Sequence, residues 1–138
     1  MILLSDKIYT KDSVISGAGR GVFATRDIKA GELIEACPVI EIPKHRDKLI
    51  LRFTEMRNYY YQWGHNRKGA AIALGFGSIY NHSYNPNASY KKFIDERRID
   101  FTARVDIKKD EEITVNYNGT PEATDTLWID SIAPYKKD

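Results

Sequence analysis

The chain is poor in the residues that build disulfide frameworks and metal centres. Its 138 residues include one cysteine, Cys37, and three histidines, His45, His65 and His82. A single thiol excludes an intramolecular disulfide and a cysteine-rich zinc cluster. The histidines have neither the spacing nor the neighbours of a zinc motif. We therefore expect no structural or catalytic metal.

Long apolar runs and long basic runs are also missing. No stretch approaches the ~18–20 apolar residues of a membrane span, and the start, MILLSDK, lacks the apolar core of about 7–15 residues of a secretory signal. The formal net charge is only +2, and lysines and arginines occur in pairs. We expect a soluble, intracellular protein (cytoplasmic, nuclear or delivered to a host cell) with neither a membrane contact nor a direct nucleic-acid site.

What the sequence does contain predicts one mainly β domain over residues 1–138, a length that suits a single domain. Residues 44–63 are the best helix candidate, although Tyr59–Tyr61 favour a strand. No strand–helix alternation supports a parallel α/β sheet. The predicted strands are rich in β-branched and aromatic residues and lie at 7–10, 13–16, 22–28, 32–42, 88–93, 98–105 and 111–118.

One internal similarity stands out. The segments 27–35 and 106–114 read DIKAGELIE and DIKKDEEIT, so each has Asp-Ile-Lys, a polar turn, an acid and Ile. The similarity is too short and too distant for a repeat protein. It predicts two similar hairpin-like corners.

Several short motifs have more than one interpretation. The run GAGRGV at 17–22 could be a dinucleotide-binding turn, but that needs a helix next, and the following residues do not favour one. A plain hairpin turn, or glycines that let backbone approach a ligand, remain open. Asn81, Asn87 and Asn118 fit the glycosylation pattern, yet no secretory signal accompanies them. Ser83 and Cys37 lack the context of a catalytic nucleophile.

Three segments taken together are more specific: GAGRGVF (17–23), GFGSIYNHSYNPNA (75–88) and EEITVNY (111–117). In this order they resemble the glycine-rich turn, the N-H-S-C-x-P-N motif and the E-E-I/L-T-x-x-Y motif of the SET-domain protein lysine methyltransferases. The resemblance covers roughly residues 5–118, with the core motifs at 17–118, and is nearest to the compact stand-alone viral and bacterial members. Two departures are Tyr84, where the family usually has cysteine, and the absence of cysteine-rich zinc regions.

The resemblance implies a SET fold of short strands in several small sheets, with one or two short helices and a knot-like C-terminal threading. It implies S-adenosylmethionine as cofactor and a lysine ε-amine as methyl acceptor. Tyr117 would be catalytic and, like Asn81 and His82, would contact the cofactor. The remaining residues with an implied role are Gly19, Arg20 and Gly21 at the cofactor, Trp128 or Tyr135 in a tail (119–138) that closes the site, and Phe76, Tyr80 and one of Tyr59–Tyr61 in the substrate channel.

The implied substrate is a lysine in an extended, basic peptide, for which a histone tail is the commonest class. The alternatives are a catalytically silent SET-like module that binds a protein partner, and a nucleotide-binding β protein without methyl transfer. Exposed strand edges also allow a homodimer.

Overall fold

The structure, a computed structural model, describes residues 4–127. Within this range the chain forms nine strands, one α-helix and one 3₁₀ helix, so the predicted mainly β fold is confirmed. The elements in chain order are β1 (Ile8–Asp12), β2 (Arg20–Ala24), β3 (Leu33–Ile42), α1 (His45–Leu51), the 3₁₀ helix (Glu55–Asn58), β4 (Tyr60–Trp63), β5 (Gly69–Ala73), β6 (Asn81–His82), β7 (Ala88–Phe93), β8 (Arg98–Ala103) and β9 (Glu112–Val115).

The smaller sheet brings the three sequence motifs together. Its strand order is β1-β2-β9-β6, with β9 antiparallel to β2 and parallel to β6. The glycine-rich turn leads into β2, the Asn-His pair forms β6, and the last motif forms β9. Segments far apart in the sequence are therefore neighbours. The knot-like threading stays a prediction of the resemblance.

The larger sheet has the order β4-β5-β3-β8-β7 and curls until its two edge strands approach each other. The Tyr61 ring on β4 packs edge-on against the Tyr90 ring on β7, with centroids 5.2 Å apart. Lys92 Nζ on β7 donates a hydrogen bond to the Gln62 carbonyl on β4 at 2.8 Å. A cleft opens beside these two edges.

The two similar corners pair with each other. Ile28 and Ile107 exchange both backbone hydrogen bonds, each 2.8 Å long. The Asp27 carboxylate accepts from the Lys109 N–H, and the Asp106 carboxylate accepts from the Ala30 N–H, each at 2.9 Å. The predicted corners therefore exist, and each caps the other.

One hydrophobic core serves both sheets. Val22 and Ile113 of the smaller sheet and Ile34 and Phe101 of the larger sheet belong to the same cluster, and each is at most 2% exposed. Burying such side chains stabilises the fold by about 1.5–3 kcal/mol each. The shared core fixes the two sheets against one another. No helix within residues 4–127 is long and apolar enough to cross a membrane.

The predicted helix over 44–63 is wrong in its second half. The helix spans only His45–Leu51, and the 3₁₀ helix follows a Thr54 cap whose hydroxyl accepts from the Met56 N–H at 3.2 Å. Tyr60–Trp63 then pairs with β5, because a run of aromatics fits a pleated surface better than a helix.

The predicted strand over 13–16 is also wrong. Ser13 N–H donates to the Gly19 carbonyl at 2.8 Å, so residues 13–19 form a closed turn. Gly17 (φ 79°) and Gly19 (φ 73°) take the left-handed backbone conformation that this turn requires.

Candidate active site

The parallel pairing of β6 with β9 builds the centre of the site. Asn81 lies beside Thr114 and His82 beside Val115, and the Ser83 N–H donates to the Val115 carbonyl at 3.0 Å. β6 has only two residues, so these few contacts set the positions of Asn81 and His82. Tyr117 follows two residues after β9.

The His82 side chain positions the backbone of Tyr117. The Tyr117 N–H donates to His82 Nδ1 at 3.0 Å, and the imidazole is fully buried. Because Nδ1 accepts, the neutral ring carries its proton on Nε2. The Tyr84 ring packs edge-on against the imidazole with centroids 4.3 Å apart. His82 thus acts through its side chain on Tyr117, a role the resemblance did not specify.

The Tyr117 hydroxyl is held by main chain. It donates to the Tyr80 carbonyl at 2.7 Å, and the half-buried ring lines the cleft. A phenolic oxygen that donates its proton keeps lone pairs for a further donor. The arrangement can therefore accept a hydrogen bond from a group that enters the cleft.

On the other side of Asn81, the glycine turn packs against a buried carboxylate. Asn81 Nδ2 donates to the Arg20 carbonyl at 2.9 Å and to Glu112 Oε1 at 3.2 Å. The Ser13 hydroxyl donates to the same Glu112 oxygen at 2.6 Å. A Cβ added at Gly21 would collide with the Glu112 carboxylate, so only glycine allows this approach.

This arrangement leaves acceptors that suit a cation. Both Asn81 amide hydrogens are used, whereas its Oδ1 takes part in no hydrogen bond among residues 4–127. Glu112 Oε2 is buried and has no hydrogen-bond partner in the described part of the chain. Buried polar atoms of this kind call for a partner. The residues present therefore fit the ammonium end of S-adenosylmethionine.

Glu112 was missed by the sequence reasoning. The motif EEITVNY points to its tyrosine, and its two acids give no hint of which one is buried. Period-two alternation along β9 places Glu112 and Thr114 on one face of the strand, but the pairing register decides which face is buried. Glu111 is exposed, whereas Glu112 is 9% exposed.

The two predicted channel residues lie in different surroundings. Tyr80 lines the cleft, but its hydroxyl points inward and donates to Glu35 Oε1 at 3.0 Å, while its ring stacks on Phe101. Phe76 is half-buried against the core, outside the set of cleft-lining residues, and its N–H donates to Glu35 Oε2 at 3.0 Å. Tyr80 thus offers the cleft its carbonyl, and the channel role of Phe76 stays a prediction.

The cleft has a volume of about 760 Å³ and is rich in tyrosine. Burial raises the pKa of Tyr61 and Tyr80 well above the usual value and that of Tyr90 to about 12. These phenols therefore stay neutral at physiological pH. Its lining includes Arg57, Tyr59, Tyr60, Tyr61, Arg67, Tyr80, Tyr90, Lys91, Lys92 and Tyr117.

Tyr84 fastens the segment that follows the last motif. Its hydroxyl donates to the Asp125 carbonyl at 3.0 Å, and Asn118 Nδ2 donates to the same oxygen at 3.0 Å. Asn116 Nδ2 donates to the Ala123 carbonyl at 2.7 Å. Residues 121–125 are thereby held next to His82 and Tyr117. The predicted covers of the site, Trp128 and Tyr135, lie outside the described residues.

The remaining candidates do not extend the site. Burial and the nearby Glu35 raise the pKa of the Cys37 thiol far above its usual value, so it is not an activated nucleophile. Among residues 4–127, no group of three or more His, Cys, Asp or Glu side chains is arranged to hold a metal ion.

Comparison with known proteins identifies the family of the chain. The SET domain family matches residues 19–118. A histone-lysine N-methyltransferase from Schizosaccharomyces pombe, specific for H3 lysine 37, is 34% identical over 115 residues, which are 83% of this chain and 73% of that protein. A Saccharomyces cerevisiae histone-lysine N-methyltransferase, specific for H3 lysine 36, is 35% identical over 107 residues, 72% of this chain but 15% of that protein.

Solved structures show the same fold. A Plasmodium falciparum protein described as a histone methyltransferase superposes with a TM-score of 0.64 at 30% identity, covering 86% of this chain and 97% of that one. The Chaetomium thermophilum polycomb repressive complex 2 gives a TM-score of 0.62 at 25% identity, covering 82% of this chain and 15% of that one. The chain therefore belongs to the SET-domain family. The sequence-based assignment to the protein lysine methyltransferases is confirmed.

Proposed function

We propose that the chain transfers a methyl group from S-adenosylmethionine to the ε-amine of a lysine in a protein substrate, with histones as the first substrates to test. One observation supports the proposal: the β6–β9 pairing brings Asn81 and His82 beside the strand that carries Glu112 and leads to Tyr117, which lines the cleft. A donor site and an acceptor site are thereby joined.

The chain's own residues would hold the cofactor by its methionyl end. Glu112 and the Asn81 amide oxygen accept from the ammonium group, and the backbone of Gly19 to Gly21 passes close by because Gly21 has no side chain. When bound, the cofactor supplies a methyl group on a sulfonium, which is already electrophilic. The protein therefore needs neither a metal nor a covalent nucleophile and must mainly align the reactants.

The acceptor lysine must arrive without its proton. A free lysine has a pKa near ~10.4, and burial favours the neutral amine. The wall of the cleft shows this effect on a lysine of its own: burial, followed by the positive charges of Arg67 and Lys48, lowers the pKa of Lys92. The released proton can leave to solvent through the open cleft.

Tyr117 would then orient the neutral amine. Its hydroxyl donates to the Tyr80 carbonyl and can accept one amine N–H, which turns the nitrogen lone pair away from the phenol. Tyr61 and Tyr90 border the same space with neutral rings. The edge strand β4 can pair with an extended peptide, a recurring way of binding such chains. Activity on histones would also place the protein in a nucleus.

Titration calorimetry with S-adenosylmethionine, followed by methyl transfer from labelled cofactor to a panel of histones and lysates read by mass spectrometry, tests the proposal. We expect micromolar or tighter cofactor binding and label on lysine side chains. A chain that binds no cofactor would contradict the proposal. Cofactor binding without label on any protein would instead support the catalytically silent binding module.

A further inference from the structure

The cleft wall around the proposed acceptor site is cationic. Its lining includes four basic residues from three separate segments: Arg57 in the 3₁₀ helix, Arg67 in the β4–β5 loop, and Lys91 and Lys92 on β7. No aspartate or glutamate is among the described lining residues. The whole chain has a net charge of only +2. The positive charge is therefore a local concentration that folding creates.

None of these four cations has a carboxylate partner within residues 4–127. Arginines and lysines elsewhere do, as in the pairs Arg97–Glu41 and Arg98–Asp100 at 3.1 and 2.6 Å. Lys92 Nζ instead donates to the Gln62 carbonyl at 2.8 Å and lies 5.9 Å from the centre of the Tyr61 ring. Neutral partners of this kind bring no negative charge to the half-buried Lys92 ammonium.

A fifth cation lies behind the wall. Lys48 is only 7% exposed, and its Nζ makes a 3.5 Å contact with the Arg67 carbonyl and sits 5.9 Å from the centre of the Tyr60 ring. Arg67 itself has a left-handed backbone (φ 58°) in an exposed loop. Lys48, Arg67 and Lys92 thus repel one another, and this repulsion helps lower the pKa of Lys92. An anion placed at this wall would relieve the repulsion.

We propose that this cationic wall is a subsite for aspartate or glutamate side chains that flank the target lysine of the substrate protein. The inference rests on the proposed function, since it assumes that the target lysine enters the same cleft toward Tyr117. It differs from the basic peptide that the family resemblance led us to expect. The cations line a cleft that is rich in tyrosine, which favours an inserted peptide over a nucleic-acid duplex.

The test compares peptides that share one lysine and differ only in their flanking residues. One series carries Asp/Glu, a second the matched Asn/Gln, a third Arg, and a fourth phosphoserine. We expect kcat/KM to be about tenfold higher for the Asp/Glu peptide than for its amide match at low salt, and the ratio to shrink as salt screens the charges. The subsite is supported if kcat/KM is highest for the Asp/Glu peptide, lower for the Asn/Gln peptide and lowest for the Arg peptide.

The variants Arg67→Gln and Lys91→Gln remove exposed cations of the wall, and Lys29→Gln is the matched control far from the cleft. Each wall variant should reduce the acid-over-amide ratio about threefold, and a urea denaturation curve like that of the parent chain shows that the variant is folded. The control should keep the full ratio. Equal rates on the acidic and amide peptides, or a ratio that is unchanged in a variant combining Arg67→Gln and Lys91→Gln, would overturn the inference.

Two further outcomes would also overturn it. If kcat/KM rises only for the phosphoserine peptide, the wall recognises phosphate and not carboxylate. If a short DNA duplex binds and loses affinity in the wall variants while peptides show no preference, the wall serves nucleic acid. Peptide binding measured by fluorescence anisotropy separates the acidic subsite from the proposed methyl transfer. If the chain binds the Asp/Glu peptide more tightly than the amide peptide but methylates neither, the proposed function is contradicted and the subsite is not.

Discussion

At the scale of single residues, some groups of the proposed site would contact a ligand. Other groups hold those ligand-contacting groups in position. In the proposed function, the Tyr117 hydroxyl and the acceptors of Asn81 and Glu112 would contact the ligands. His82 holds the Tyr117 backbone through Nδ1. Tyr84, the departure from the family motif, packs on His82 and bonds the Asp125 carbonyl. A tyrosine here thus fastens the C-terminal segment by a hydrogen bond.

The first prediction concerns the Tyr117 hydroxyl. Tyr117→Phe removes the bond to the Tyr80 carbonyl and the acceptor for the incoming amine, so we expect kcat to fall about a hundredfold while cofactor affinity changes little. Single-turnover methyl transfer and calorimetry measure the two effects. Tyr9→Phe, which removes an exposed hydroxyl bonded to Asp110, is the control. Full activity in Tyr117→Phe would remove the tyrosine from the mechanism.

The second prediction concerns Glu112. Glu112→Gln keeps the shape but removes the charge that would face the cofactor ammonium, so we expect the dissociation constant to rise about tenfold or more. The demethylated product carries the same ammonium, and its affinity should fall by the same factor. A loss for S-adenosylmethionine alone would instead place Glu112 at the sulfonium. Glu111→Gln, on the exposed neighbour, should leave both affinities unchanged.

At the scale of elements, the paired corners connect the two sheets. Each corner contains a hydrogen bond that closes its own turn. The Glu32 carboxylate accepts from the Lys29 N–H at 3.0 Å, and the Glu111 carboxylate accepts from the Lys108 N–H at 2.9 Å. Each corner also caps its counterpart through an aspartate. The sequence similarity predicted two similar corners, but only the structure shows that they meet. The second corner leads directly into β9 and so toward Glu112 and Tyr117.

The third prediction concerns these aspartates. Asp27→Ala leaves the Lys109 N–H without its acceptor, and Asp106→Ala does the same to the Ala30 N–H. Each should lower the free energy of unfolding by about 1 kcal/mol, measured by urea denaturation. Asp12→Ala, on an exposed strand end, should be within about 0.5 kcal/mol of the parent chain. Unchanged stability in both corner variants would show that the caps do not stabilise the fold.

At the scale of the whole molecule, a shared core and a curled sheet produce a tyrosine-rich cleft. The curl brings β4 and β7 together, so Tyr61 and Tyr90 meet across the two sheet edges. It also gathers cations from three segments at one wall. The cleft is therefore a property of the closed sheet and not of any one motif.

The fourth prediction is a loss of stability at high pH. Burial raises the pKa of Tyr90 to about 12 and that of Tyr61 and Tyr80 well above 10, whereas unfolded tyrosines ionise near ~10. The stability is therefore complete below pH ~10 and falls as the pH rises, because only the unfolded chain then releases these protons readily. Tyr90 alone should account for about 2–3 kcal/mol by pH ~12.

Denaturation curves at pH 9 to 12 measure this loss. Tyr90→Phe should flatten the pH dependence, whereas Tyr59→Phe, at a position that is 42% exposed, should leave it unchanged. A pH profile that is identical in the parent chain and in Tyr90→Phe would contradict the assignment.

The family, the mainly β class and the order of the motifs follow from the amino-acid sequence alone, because glycine turns, β-prone runs and short motifs are local patterns. The remaining features depend on contacts that form only when the chain folds. Tyr60–Trp63 became a strand because β5 offered a partner, and residues 13–16 became a turn because the chain closes onto Gly19. Glu112 is buried only because β9 lies against the glycine turn, and the cations converge only because the larger sheet curls. Such contacts join residues distant in sequence, so no local pattern contains them.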